Sequence, residues 1–151
     1  MTKASGEDKT NNRSINILLV EDSQADIKIA LRAFKEVIPE SKIYVVGDGE
    51  EALDFIYHKG TYQDREKMPV LDLILLDINM PKMDGFQVLE NIKNDPKHKA
   101  IPVIVLTSSR DEEDRVKSYK NGASNFVSKP ISYKDFLKVV EGFYSYIREK
   151  E

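Results

Sequence analysis

The chain has 151 residues, a net charge of -3 and no cysteine. That length suits one domain with a sizeable core, and the missing thiols rule out a disulfide framework, a thiol nucleophile and a cysteine metal site. The mild acidity asks for neither nucleic acid nor an anionic membrane, no apolar run approaches a membrane span, and the first residues lack the apolar middle of a signal peptide. The expectation is a cytoplasmic protein without a nucleic-acid or membrane partner.

Residues 1–14 are polar and carry Gly6 and Asn11-Asn12. They bury too little apolar area to offset ordering, which predicts a flexible tail. Residues 15–20 (Ile-Asn-Ile-Leu-Leu-Val) read as a first buried strand that ends in Glu21-Asp22 and Ser23. Ile27, Ala30, Leu31, Phe34 and Ile38 then form one stripe of an amphipathic helix, closed by Pro39. Acids at this place can simply cap that helix. Capping explains one acid better than two.

A shorter strand over 42–46 turns at Asp48-Gly49 into a helix with Ala52, Leu53 and Ile56. Residues 60–69 form a polar connection, long for such a loop. The run Leu73-Ile74-Leu75-Leu76 has no polar face, as a strand buried on both sides requires. It ends at Asp77, and Pro81 cannot continue a ladder. Asp77 can cap a turn, or it can present a carboxylate where open α/β sheets bind ligands. Gly85 follows Asp84 in a turn, and Val88, Leu89 and Ile92 mark the next helix, which Asn94-Asp95-Pro96 stops. A fourth buried strand over 102–106 ends at Thr107-Ser108. Residues 111–122 form a helix with acids first, bases later and glycine last, as the macrodipole and the C-cap favour. A fifth strand over 124–128 surrounds Phe126 and Val127 and precedes Lys129-Pro130. The last helix, 133–148, presents Phe136, Val139, Val140, Phe143 and Ile147 on one face.

Five strands alternating with five helices predict an α/β fold, a doubly wound five-stranded parallel sheet with helices on both faces. The polar ends of strands one, three, four and five then open on one edge: Glu21-Asp22, Asp77, Thr107 and Lys129. Carboxylates crowded there repel one another unless a cation neutralises them, and an all-oxygen set suits Mg2+. Such a site draws a phosphoryl group towards Asp77. Carboxylates can form aspartyl phosphates, and Lys129 with the Thr107 hydroxyl can stabilise the charge.

These motifs together resemble the receiver domain of two-component response regulators, from about Ile15 to the C-terminus. They are Leu-Leu-Val-Glu21-Asp22, Leu-Leu-Asp77-Ile-Asn-Met-Pro81-Lys-Met-Asp-Gly85, Leu-Thr107-Ser108 and Lys129-Pro130. The resemblance implies a flavodoxin-like receiver over 15–148 with strand order 2-1-3-4-5, and tails over 1–14 and 149–151. It implies Asp77 as phosphoacceptor, and Mg2+ held by Glu21, Asp22, Asp77 and the Asn79 carbonyl. It further implies that Thr107 and Lys129 bind the phosphoryl group, that the Lys129-Pro130 bond is cis, and that Thr107 and Phe126 form the switch. Phe126 lacks the hydroxyl that many receivers carry at this position; plain core packing is its other reading.

Only Glu149, Lys150 and Glu151 follow Arg148. The expected function is therefore a single-domain response regulator, phosphorylated on Asp77 by a histidine kinase and catalysing only its own phosphorylation and dephosphorylation. A phosphate shuttle or sink is the alternative. The loop over 60–69, the Asn-Met-Pro segment and the aromatic last helix resemble the small regulators of phytochrome-type kinases. A phosphatase of haloacid dehalogenase type would want a second Asp where Asn79 stands. An FMN carrier would want a phosphate loop where Glu21-Asp22 stands, and the nucleotide-binding Gly-x-x-x-x-Gly-Lys-Ser/Thr motif is missing. Tyr133, Tyr144 and Tyr146 exceed what one core stripe uses. This predicts a homodimer through the fourth helix (111–122), the fifth strand and the last helix.

Overall fold

The computed structural model describes residues 14–63, 68–80, 83–112, 125–129 and 132–150. Most of the predicted helix over 111–122 and the Lys129-Pro130 bond lie outside them, as do Tyr119 and Pro81.

The described strands are β1 (Asn16–Val20), β2 (Lys42–Val46), β3 (Leu73–Asp77), β4 (Val103–Thr107) and β5 (Asn125–Ser128). They form one parallel sheet in the order β2-β1-β3-β4-β5. Helices α1 (Gln24–Val37), α2 (Gly49–Tyr57) and α3 (Gly85–Lys93) and the C-terminal helix (Tyr133–Lys150) cover it. Both faces are apolar because successive residues of a strand point to opposite sides. Leu18, Val20, Ile74, Leu76, Val103 and Val105 pack on one face with α2 and α3. Ile17, Leu19, Leu73, Leu75 and Ile104 pack on the other with α1 and the C-terminal helix. All five residues of β3 and of β4 are buried. The outer strand β2 buries only Val46, and its Val45 is 39% exposed.

The helices begin on side-chain caps. Ser23 Oγ accepts from the Asp26 N–H at 3.3 Å, and Asp48 Oδ1 from that of Glu51 at 2.8 Å. Asp84 and Gln87 form a capping box at the start of α3. Ser23 is the residue that caps α1, and Glu21 Oε2 in turn accepts the Ser23 N–H at 3.1 Å, so capping accounts for part of what Glu21 does.

Three details depart from the sequence expectation. The buried stripe of α1 uses Ala33 with Ile27, Ala30 and Phe34, whereas Leu31 is 38% exposed. Phe34 meets Phe136 edge to face at 6.1 Å, so the direction from which the C-terminal helix arrives sets the stripe. The connection after α2 is not merely polar: a 3-10 turn (Gly60–Tyr62) places Tyr62 against Phe55, with its hydroxyl on Glu51 Oε2 at 3.0 Å. Of the surplus tyrosines, Tyr133 and Tyr144 pack against the core, and Tyr146 is the outward one at 41% exposure. The Tyr133 hydroxyl donates to Glu36, and Arg32 lies over its ring.

Candidate functional site: an acidic pocket bridged by a lysine

Register brings the predicted residues together. Val20 pairs with Leu76, so Glu21 lies level with Asp77, and Thr107 pairs with Ser128 one step further along. One backbone bond beyond each strand fixes the next residue. Glu21 N–H donates to Val46 O at 3.0 Å, Ile78 N–H to Leu106 O at 3.1 Å and Lys129 N–H to Thr107 O at 2.6 Å. Pleat parity puts Glu21, Asp77 and Lys129 on the side of Leu19, Leu75 and Val127, and Thr107 and Phe126 on the opposite side.

Gly85 sets how closely α3 can approach. A Cβ there would lie 2.7 Å from Ile78 Cα and 3.0 Å from Asp77 O. Any side chain would push the start of α3 away from the strand end that carries Asp77.

Oxygens of Glu21, Asp22 and Asp77 lie within 4.8 Å of one another. Glu21 and Asp77 are 1% and 2% exposed, whereas Asp22 faces solvent. Asp77 acts in two ways at once. Its Oδ1 accepts the Asn79 backbone N–H at 2.9 Å, the turn role that its place after a strand suggested. Its Oδ2 pairs with Lys129 Nζ at 3.1 Å. The same ammonium reaches Glu21 Oε1 at 3.0 Å and Oε2 at 3.3 Å. Burial first, and the Asp77 charge second, push the Glu21 carboxyl up to about 7 against the pull of Lys129. For Lys129, burial works towards the neutral amine. Hydrogen bonds to Glu21 and Asp26 and the charge of Asp77 outweigh it, so the ammonium is held more firmly than in water. The donor set is hard, acidic and half-shielded, which suits a hard divalent cation.

The Thr107 hydroxyl is fully buried and has no hydrogen-bond partner among the described residues. Such an orphan is uncommon in native proteins. A phosphoryl oxygen near Asp77 would give it a partner. Phe126, on the same side of the sheet, is half-buried against the α2–α3 face.

Sequence reasoning missed two partners of this site. Asp26, in the first turn of α1, contacts Lys129 Nζ at 3.1 Å. Glu112 Oε1 accepts from the Ser108 N–H at 2.8 Å and from Asn79 Nδ2 at 3.1 Å, while Asn79 Nδ2 also donates to Ser108 Oγ. Glu112 stands four residues after Ser108, and an acid in a first helical turn signals no more than dipole pairing. Neither position could be told from an ordinary helix-start acid.

A sheet of this order, with acids on its two central strands and a lysine bridging them, belongs to a family. Residues 17–141 match the response regulator receiver domain, and the chain belongs to that family. It is 40% identical over 130 residues to response regulator Rcp1 of Synechocystis sp., covering 86% of each chain. It is 37% identical over 131 residues to the probable methanogenesis regulatory protein FilR2 of Methanothrix harundinacea, covering 86% of this chain and 81% of that one. The phosphorylated cyanobacterial phytochrome response regulator RcpA shares the fold with a TM-score of 0.76 at 34% identity, over 92% of this chain and 97% of that one. The Mn2+-bound form of Rcp1 does so with a TM-score of 0.73 at 39% identity, over 87% and 93%. The chain is thus a response-regulator receiver close to phytochrome response regulators, and phosphorylation on aspartate by a kinase is the chemistry that fits its family.

Proposed function

We propose that Asp77 is the phosphoacceptor of a Mg2+-dependent phosphorelay. One side chain carries the reading. Asp77 is nearly inaccessible, yet it shares its pocket with two further carboxylates and a lysine. A carboxylate oxygen of Asp77 forms a bond to phosphorus while the phosphorus–nitrogen bond of a phosphohistidine breaks and the imidazole leaves. Lys129, already on Oδ2, pairs with the incoming charge, and the buried Thr107 hydroxyl supplies a donor to a phosphoryl oxygen. Glu21, Asp22, Asp77 and the Asn79 carbonyl would hold Mg2+, which when bound supplies positive charge to the transferring group.

Thr107 and Phe126 share one side of the sheet, so the proposed switch is a linked displacement of the two when the hydroxyl finds its phosphoryl partner. The name of RcpA, a cyanobacterial phytochrome response regulator, supports a sensor histidine kinase of phytochrome type as the phosphodonor, and the exchange proposed with it is cytoplasmic. The domain proposed for this role spans residues 15–148. Tyr146 and the outward side of the C-terminal helix support a homodimer through that face.

Incubation with a phosphohistidine donor or a small phosphodonor tests the chemistry. Wild type should gain one phosphoryl group only with a divalent ion, and Asp77→Asn should gain none. Stable, full labelling of Asp77→Asn would move the acceptor elsewhere.

A further inference from the structure

Lys129 has three N–H bonds and, among the described residues, three carboxylate partners, and those partners are not equivalent. Glu21 and Asp77 belong to the cluster whose oxygens converge within 4.8 Å, and Asp26 does not. A divalent cation in the pocket competes with the ammonium for the lone pairs of Glu21 and Asp77, and it repels that ammonium. Asp26 is the one partner seen here that keeps its oxygen for Lys129 under those conditions. It is well placed to do so. Its backbone N–H is tied to the Ser23 cap at 3.3 Å, its carboxylate is three-quarters buried, and its Oδ2 lies 3.1 Å from Nζ.

We infer that Asp26 is a positioning residue that holds Lys129 beside the acidic pocket while a divalent cation occupies it. The inference rests on the reading of Glu21, Asp22 and Asp77 as a cation site. Without Asp26, the ammonium has only the cluster's own carboxylates to bind, so it competes harder and the cation binds more weakly. A plain loss of negative charge near the pocket would weaken binding too, but it would do so whether or not Lys129 is present. That difference separates a residue acting through Lys129 from one acting directly on the cation.

The test is Mn2+ affinity of the unphosphorylated full chain, read by titration. Asp26→Asn should weaken it by about fivefold or more, the scale of one charge-assisted bond. Asp26→Glu should recover most of the loss. In a Lys129→Ala background, Asp26→Asn should change affinity by less than about twofold, as expected when its partner is already gone. Unchanged affinity in Asp26→Asn, or the same loss in the Lys129→Ala background, overturns the inference and leaves the cation site standing. A wild-type protein that binds no Mn2+ removes the site, and the inference with it.

Discussion

Two side chains at the sheet edge carry consequences that can be measured one residue at a time. The buried Thr107 hydroxyl is unpartnered among the described residues, and such a group costs about 1–3 kcal/mol relative to a satisfied one. Thr107→Val keeps the shape and removes the polar atom. It should leave the unphosphorylated protein as stable or more stable, by about 1 kcal/mol in urea titration. The same substitution should blunt the phosphorylation-induced shifts seen by NMR, because no hydroxyl remains to be drawn across. Glu21 is the second case. Its carboxyl titrates near 7 in the folded chain against 4.5 ordinarily, so the folded state binds the extra proton between those values. The resulting stability is full below about 4.5 and lost as pH rises through about 7. Unfolding of the chelated protein should show that decline, and Glu21→Gln should flatten it. The places of Glu21, Asp77 and Lys129 at strand ends were legible in the sequence, where Glu21 and Asp77 directly follow apolar runs. The bond from Lys129 to Asp26 was not, since it depends on how a helix start and the end of β5 meet in space.

At the scale of elements, the site depends on how tightly α3 abuts β3. Gly85→Ala would place a methyl carbon within 2.7 Å of Ile78 Cα, against backbone that cannot step aside. The expected outcome is a loss of about 1–3 kcal/mol in chemical denaturation, with weaker divalent-ion binding as the Asp77 end of the strand shifts. Strands were the most legible elements: unbroken apolar runs and their polar ends marked β1, β3 and β4 to within a residue. Helix faces were less so. Leu31 and Ala33 both lie near the edge of the α1 stripe, and only the approach of Phe136 decides between them. Tyr133 shows the same limit. Arg32 and Glu36 of α1 engage it, and no period within its own helix reveals that.

Seen whole, the sheet buries both faces of its central strands β3 and β4, so association face to face falls to helix surface. The C-terminal helix offers Tyr146 beside an apolar hollow lined by Leu73, Pro102, Ile104, Val139 and Phe143. Sedimentation at tens of micromolar should show a dimer strengthened by a phosphoryl mimic, and Tyr146→Ala should shift it towards monomer. A monomer with and without the mimic would reserve this face for a partner of another kind. The sheet also ends in an open margin. In β2, Lys-Ile-Tyr-Val-Val, Lys42 is the single charge, and among the described residues the strand pairs with β1 alone. An apolar strand with an unpaired side invites another chain to lengthen the sheet, and a lysine at its start discourages that. Concentrated stocks of this protein should therefore keep best at modest ionic strength, where the charge of Lys42 still repels its counterpart on a second molecule and holds clouding off.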